Sequence, residues 1–318
     1  MKKLISVVIP AYNEEAVLDE LKKRLKEVMA TNSNYDFEII IVENGSWDSS
    51  FEKLIRINKE DPRFKIVQMS RNFGCDGAIS AGLKYVKGDA AVIMNADLQD
   101  PPEMILEFIK KWEEGYEIVY GIIQKRIGVS FTRKILSSIA YKIIYHLSNK
   151  MIPANVSDFR LIDKKVYMIV NKMEERNKFL RGIIAWTGFK QIGIPFDRPP
   201  RFAGGPSANF FAVFKVAING IKVAMNGIFS FSYFPLRAVS VLGIVVSASA
   251  FIMGIIEIYL FLRYGKVVHG FTTTIIVILF LFGTLFFILG IIGEYIARIY
   301  DEVKQRPNYI VKNEIGFN

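Results

Sequence analysis

Two long apolar runs near the C-terminus, Ala238–Leu262 and Thr274–Ile292, constrain this chain more than any other feature. Each is near the roughly 20 residues that an α-helix needs to cross a bilayer. The connector, with Arg263, Lys266 and His269, is too short to be a domain, so the runs predict a transmembrane hairpin over 235–295. Arg237 precedes the first run, and Arg298, Lys304, Arg306 and Lys312 follow the second. By the positive-inside rule both flanks are expected in the cytoplasm. Small residues at Gly243, Ser247 and Gly254 offer a face for self-association, and hence a homo-oligomer, through the hairpin.

Charge extends the membrane reading. With 41 Lys and Arg against 31 Asp and Glu, the formal net charge is +10. No base-reading or stacking motif accompanies it, which argues against nucleic acid and for an anionic lipid surface or substrate. Between Ile118 and Ser157 there is no acidic residue, while Lys125, Arg126, Arg133, Lys134, Lys142 and Lys150 alternate with apolar residues at helical spacing. That pattern predicts an amphipathic interfacial helix over about 128–150. A second acid-free stretch, between Asn209 and Phe234, predicts another interfacial segment within 206–234. One cysteine, Cys75, excludes an internal disulfide, and with only His146 and His269 there is no His/Cys zinc site. The apolar run after Met1 is too short for a signal peptide, so the N-terminal part is expected to stay on the side where it is made.

The first stretch of the chain alternates strand and helix patterns. Ile5–Ile9, Phe37–Val42, Lys65–Met69, Ala90–Met94 and Glu117–Tyr120 read as strands. Glu15–Met29, Asp48–Asn58, Gly77–Val86 and Pro102–Glu113 read as helices between them. Such alternation predicts an α/β fold with a mostly parallel sheet covered on both faces. Ligands in these folds bind beyond the carboxyl ends of the strands. The polar clusters after Ile9, Val42 and Met94 all fall at such ends and point to one crevice.

The most informative string is Asn95-Ala96-Asp97-Leu98-Gln99-Asp100-Pro101-Pro102, directly after an apolar strand. A carboxylate there can hold a divalent cation that bridges a diphosphate and neutralises it as it leaves. Further strings follow in order: Val7-Val8-Ile9-Pro10-Ala11-Tyr12-Asn13-Glu14-Glu15, Ser70-Arg71-Asn72-Phe73-Gly74, Asp158-Phe159-Arg160-Leu161, Glu175-Arg176-Asn177-Lys178-Phe179-Leu180-Arg181-Gly182, and Phe231-Ser232 with Pro235-Leu236-Arg237. Together they resemble the family 2 inverting glycosyltransferases of GT-A (Rossmann-like) type, in the polyprenyl-phosphate branch that includes dolichol-phosphate mannose synthase and bacterial undecaprenyl-phosphate glucosyltransferases.

That resemblance implies a fold, a reaction and a set of site residues. A GT-A catalytic domain is expected over 1–205, with 206–234 leading to the hairpin and 296–318 forming a cytoplasmic tail. The reaction would move a sugar from a nucleotide-sugar, preferably a UDP-sugar such as UDP-glucose, to polyprenyl phosphate at the bacterial inner membrane. The product would serve envelope glycan or O-antigen modification. Pro10, Tyr12 and Glu14 would line the nucleotide pocket, together with Asn44 and Asn95. Asp97, with Gln99 beside it, would hold Mg2+ or Mn2+ and the donor. Asp158 would be the base or orienting group near the acceptor, and Arg160 and Arg201 would meet anionic phosphate. The family usually carries Asp where this chain has Asn44 and Asn95, and a Lys in the segment where it has Gly204-Gly205-Pro206-Ser207-Ala208-Asn209. These departures imply an altered donor preference. They also raise the alternative of a degenerate paralogue acting as a membrane scaffold. A processive polysaccharide synthase is disfavoured by the lack of a Gln-x-x-Arg-Trp string and by too few membrane helices.

Overall fold

The computed structural model describes residues 2–126, 156–176, 178–200, 202, 234–264 and 271–317. The two expected interfacial helices, 128–150 and 206–234 short of Phe234, lie outside the described residues, as does Arg201. The chain divides into a unit formed by Met1–Gly227 with Arg306–Asn318, and a unit formed by Ile228–Gln305.

The first unit is built on one eight-stranded sheet. Its strands are β1 (Lys3–Ala11), β2 (Tyr35–Glu43), β3 (Phe64–Met69), β4 (Ala90–Ile93), β5 (Ile118–Arg126), β6 (Val156–Asp163), β7 (Gln191–Arg198) and β8 (Val311–Ile315), in the spatial order β7-β5-β6-β4-β1-β2-β3-β8. Strands β4, β1, β2 and β3 run parallel. β6 enters antiparallel between β4 and β5, β7 is parallel to β5, and β8 closes the far edge antiparallel to β3. The sheet is therefore mixed, with a parallel block at its centre, which is the GT-A arrangement.

The central strands are apolar on both faces because both faces are covered. Along β2, Ile39 and Ile41 join one core with α1 (Leu18–Thr31), α2 (Ser50–Glu60) and α4 (Met104–Glu113), while Ile40 and Val42 join another with α3 (Gly74–Lys84). The partition follows the two-residue period of a strand. Helix α3 lies so close to the sheet that a Cβ on Gly82 would sit 2.4 Å from Val8 Cγ1 and 2.9 Å from Val42 Cγ2. A larger residue there would push the helix off the strands. Two more helices, α5 (Lys164–Lys172) and α6 (Leu180–Trp186), follow β6.

The segment expected as a cytoplasmic tail, 296–318, contains an element that its sequence did not suggest. Residues 306–317 fold back onto the first unit, where Val311–Ile315 forms β8. Tyr309, Val311 and Phe317 pack on the α3-side core, and the Ser70 N–H donates to the Ile310 carbonyl at 2.9 Å. Only one face of this edge strand is apolar, so its composition alone reads as a tail.

The second unit is two helices, α7 (Phe234–Tyr264) and α8 (Phe271–Lys304), packed on each other. Within them Phe234–Arg263 and Thr274–Lys304, whose most apolar 18-residue windows have mean hydropathies of 2.4 and 3.1, are long and apolar enough to cross a membrane. Both helices extend beyond the predicted 238–262 and 274–292. In α8 the extension carries the Glu294–Arg298 pair one turn apart, which supports the helix past its apolar run.

Candidate active site

The loops at the carboxyl ends of β1, β2, β3 and β4 are joined to each other by side-chain bonds. After β1 the chain turns at Asn13, whose φ of 56° is left-handed, a conformation that Asn tolerates better than most residues. The Asn13 N–H donates to Ser46 Oγ at 3.0 Å, and Asn13 Oδ1 accepts from the Trp47 N–H at 3.0 Å. The Glu14 N–H donates to Ser50 Oγ at 3.0 Å. Pro10 pairs in register with Val42, and Tyr12 is 40% exposed on the rim. The expected nucleotide-pocket residues Pro10, Tyr12 and Glu14 therefore share one edge of the crevice.

Asn44, expected at the nucleotide pocket, also ties the β2 and β3 loops together. It is buried, with Nδ2 donating to the Gly74 carbonyl at 3.1 Å and to Asn72 Oδ1 at 3.3 Å, while Oδ1 accepts the Phe73 N–H at 3.0 Å. The amide is used on the β3–α3 loop. An aspartate would serve the Phe73 donor but set a carboxylate against two oxygens. Asn here is matched to its surroundings.

The string after β4 forms the floor. Leu98 sits in the left-handed region at φ 56°, which costs a branched residue about 1–2 kcal/mol. Its side chain is buried in the main core, which offsets the strain and holds the turn. Asp97 and Gln99 flank it. Asp97 is 9% exposed and its Oδ1 accepts the Gln99 N–H at 3.1 Å. The Gln99 amide nitrogen donates to the Pro199 carbonyl at 3.1 Å, so the amide oxygen is the atom left to accept. Asp100 turns the other way and is fully buried. Its Oδ2 accepts from Asn95 and its Oδ1 from Ser157 Oγ at 3.3 Å, with Arg198 3.9 Å away. Burial raises the Asp100 carboxyl above its ordinary range, partly offset by Arg198 and the Asn95 N–H.

Strand β6 and helix α6 form the remaining wall. Asp158 is gripped by the Arg181 guanidinium, Nε on Oδ1 and Nη2 on Oδ2. Burial would raise the Asp158 carboxyl, but Arg181, then Arg160 and Arg198, overcome that and hold it below the ordinary carboxylate range. Arg160, expected to meet phosphate, is 4% exposed and donates to the main-chain carbonyls of Ser157 at 2.9 Å and Asp158 at 3.2 Å. Burial lowers it to about 10, with Asp158 opposing, so it remains a cation at neutral pH. It supplies positive potential from inside the wall. Asp76, on the first turn of α3, is pushed up to about 6 by burial and the nearby Asp158, and it accepts the Leu180 N–H.

The fold thus sets Asp97 and Asp158 both near Asp100, with Gln99 bonded to Asp97 and Arg160 beside Asp158. It adds Asp76, Asp100, Arg181 and Arg198, to which sequence reasoning gave no role. For Asp100 and Arg181 the signal was present, since both lie inside strings that carried the resemblance.

The chain resembles known proteins over nearly its whole length. In a crystal structure of glucosyl-3-phosphoglycerate synthase from Mycobacterium tuberculosis with Mn2+, UDP and glucosyl-3-phosphoglycerate, the match covers 70% of this chain and 78% of that one, at 17% identity and a TM-score of 0.46. The uncharacterized glycosyltransferase YkcC of Bacillus subtilis is 43% identical over 98% of this chain and 94% of its own length. The bactoprenol glucosyl transferase of Shigella phage SfV is 34% identical over 98% of both. The model of glycosyl transferase family 2 matches residues 6–169, more than half the chain. This protein belongs to glycosyl transferase family 2.

Proposed function

We propose that this enzyme transfers a sugar, with inversion, from a nucleotide-sugar to a polyprenyl phosphate at the cytoplasmic face of a bacterial inner membrane. UDP-glucose is the preferred donor in this reading. The observation that carries it is the placement of Asp97 on the loop after β4, where Asp97 and the Arg181-held Asp158 both act on Asp100, in a chain that aligns end to end with a bactoprenol glucosyl transferase. Two helices of membrane-crossing length suit an acceptor confined to the bilayer.

The donor set fits a hard divalent cation, Mg2+ or Mn2+. Asp97 and the Gln99 oxygen are both oxygen donors, and among the described residues no cluster of three His, Cys, Asp or Glu side chains makes a ready cage. That composition suits an ion completed by substrate phosphates. When bound, the cation neutralises the departing diphosphate. The β1 and β2 loops, with Tyr12 on the rim, hold the nucleotide. Asp158, kept ionised by Arg181, orients the acceptor and need not remove a proton, because a polyprenyl phosphate is already anionic near neutral pH. Positioning and charge management then carry most of the rate. The product would feed envelope glycan or O-antigen modification.

The scaffold alternative rests on Asn44, Asn95 and the missing Lys of the 204–209 segment, which lies outside the described residues; both amides have partners that an aspartate would repel. Calorimetry of detergent-solubilised protein with UDP-glucose and Mn2+ tests the donor side. Saturable binding that needs the metal and disappears in Asp97→Ala is expected. Equal binding by wild type and variant would overturn the assignment of Asp97.

A further inference from the structure

We infer that Arg181 is the positioning residue of the transfer site, holding the Asp158 carboxylate in the orientation that receives the acceptor. The inference rests on the transfer reading above. Arg181 meets Asp158 through a two-pronged fork, Nε and Nη2 on the two carboxylate oxygens, a geometry that fixes the carboxylate plane as well as its charge. Lysine, a point charge on a flexible stem, supplies the charge without the plane. The fork is itself anchored. Its Nη1 donates to the Val156 carbonyl at 3.4 Å, the neighbouring Leu180 N–H bonds Asp76, and Leu180, Ile183 and Ile184 are buried. Helix α6 therefore delivers one guanidinium to one carboxylate from a rigid base. Both side chains remain about one-fifth exposed, at 21% each, so the pair is open to solvent and is not sealed in the core.

The surroundings explain why one particular arginine is needed. Asp158 is faced by Arg160 on its own strand, Arg198 from β7, Asp76 and Cys75 from α3, and Asp100 from the β4 loop. Two further carboxylates and burial all oppose its ionisation. Arg160 is turned to backbone carbonyls, and Arg198 stands near Asp100. Among the described cations, Arg181 is the one whose side chain hydrogen-bonds the Asp158 carboxylate.

The test compares wild type, Arg181→Gln and Arg181→Lys in full-length protein, by steady-state kinetics and by thermal unfolding across pH. Wild-type Asp158 lies below the ordinary carboxylate range, so it stays ionised into acid. Without Arg181 its carboxyl rises, and the acid limb of kcat moves to higher pH. In Arg181→Gln kcat is expected to fall about 100-fold, with donor KM within about threefold of wild type. Arg181→Lys should return the acid limb toward wild type while recovering only part of kcat. An unmoved limb in Arg181→Gln, or equal kcat in the two variants, would overturn the inference, because a purely structural tie predicts lower Tm alone. Unfolding needs no substrate. The Tm gap between wild type and Arg181→Gln should be full above the ordinary carboxylate pKa and close as pH falls. Parallel curves would overturn the inference, whereas a wild type that makes no product while showing the closing gap contradicts only the transfer reading.

Discussion

Asn95 donates twice to one oxygen of Asp100, through its side-chain amide at 2.9 Å and its backbone N–H at 3.1 Å. Asp100 has no solvent exposure, so Asn95 satisfies by hydrogen bonding a carboxyl oxygen that water cannot reach. Asn95→Asp would set two carboxylates in contact. It is expected to cost about 1–3 kcal/mol, less at pH 5 than at pH 8 because protonation relieves the repulsion. Chemical denaturation at the two pH values reads this out, and a neutral effect at pH 8 would show that the pair relaxes apart.

Asn44 makes a parallel case. In Asn44→Asp the carbonyl of Gly74 and Oδ1 of Asn72 would lose their donor and face a carboxylate. Loosening of the β3–α3 loop should raise the donor KM more than it lowers kcat, with a stability loss of about 1–3 kcal/mol. Steady-state kinetics with the preferred donor measures the split.

Gly45 follows in the same loop, with φ at +71°. A Cβ there would sit 2.5 Å from the Arg71 carbonyl carbon. The left-handed strain and the backbone clash together predict a loss above about 2 kcal/mol for Gly45→Ala. A Tm within a degree of wild type would contradict the packing of these two loops.

Asp61 tests the electrostatics of the first unit away from the site. The Arg63 side chain hydrogen-bonds Asp61 and, against burial, brings its carboxyl down to about 2 from the ordinary 3.8. A depressed carboxyl stabilises the fold above its unfolded pKa, and that contribution is lost as pH falls toward 2. Discounted for the half-exposed Arg63, the pair is worth about 1–2 kcal/mol. Asp61→Asn should therefore be destabilised at pH 7 and match wild type near pH 2 in denaturation experiments.

The sequence revealed those features that a single segment determines. The strands β1 to β4 were readable because each is an apolar run buried on both faces, and the membrane-length helices because apolar length is a local property. Helix starts moved by a few residues where the turn chemistry decides: α1 begins at Leu18, after the Asn13 turn and the Val17 N–H to Glu14 carbonyl bond. Strand β6 went unread, since its antiparallel insertion between β4 and β5 is set by tertiary pairing. β8 looked like a tail because an edge strand buries little. At the site, Asp97 stood out through its position after a strand. Arg181 did not, because its partner lies 23 residues earlier and only the fold joins them.

The central claim is sugar transfer to a polyprenyl phosphate. It is tested most directly by incubating purified protein with undecaprenyl phosphate, Mn2+ or Mg2+ and a panel of nucleotide-sugars, followed by mass spectrometry of the lipid. The expected result is one polyprenyl-phosphate-linked sugar, formed from a UDP-sugar, dependent on metal and absent in Asp97→Ala. Folded protein that yields no glycolipid with any donor would contradict it.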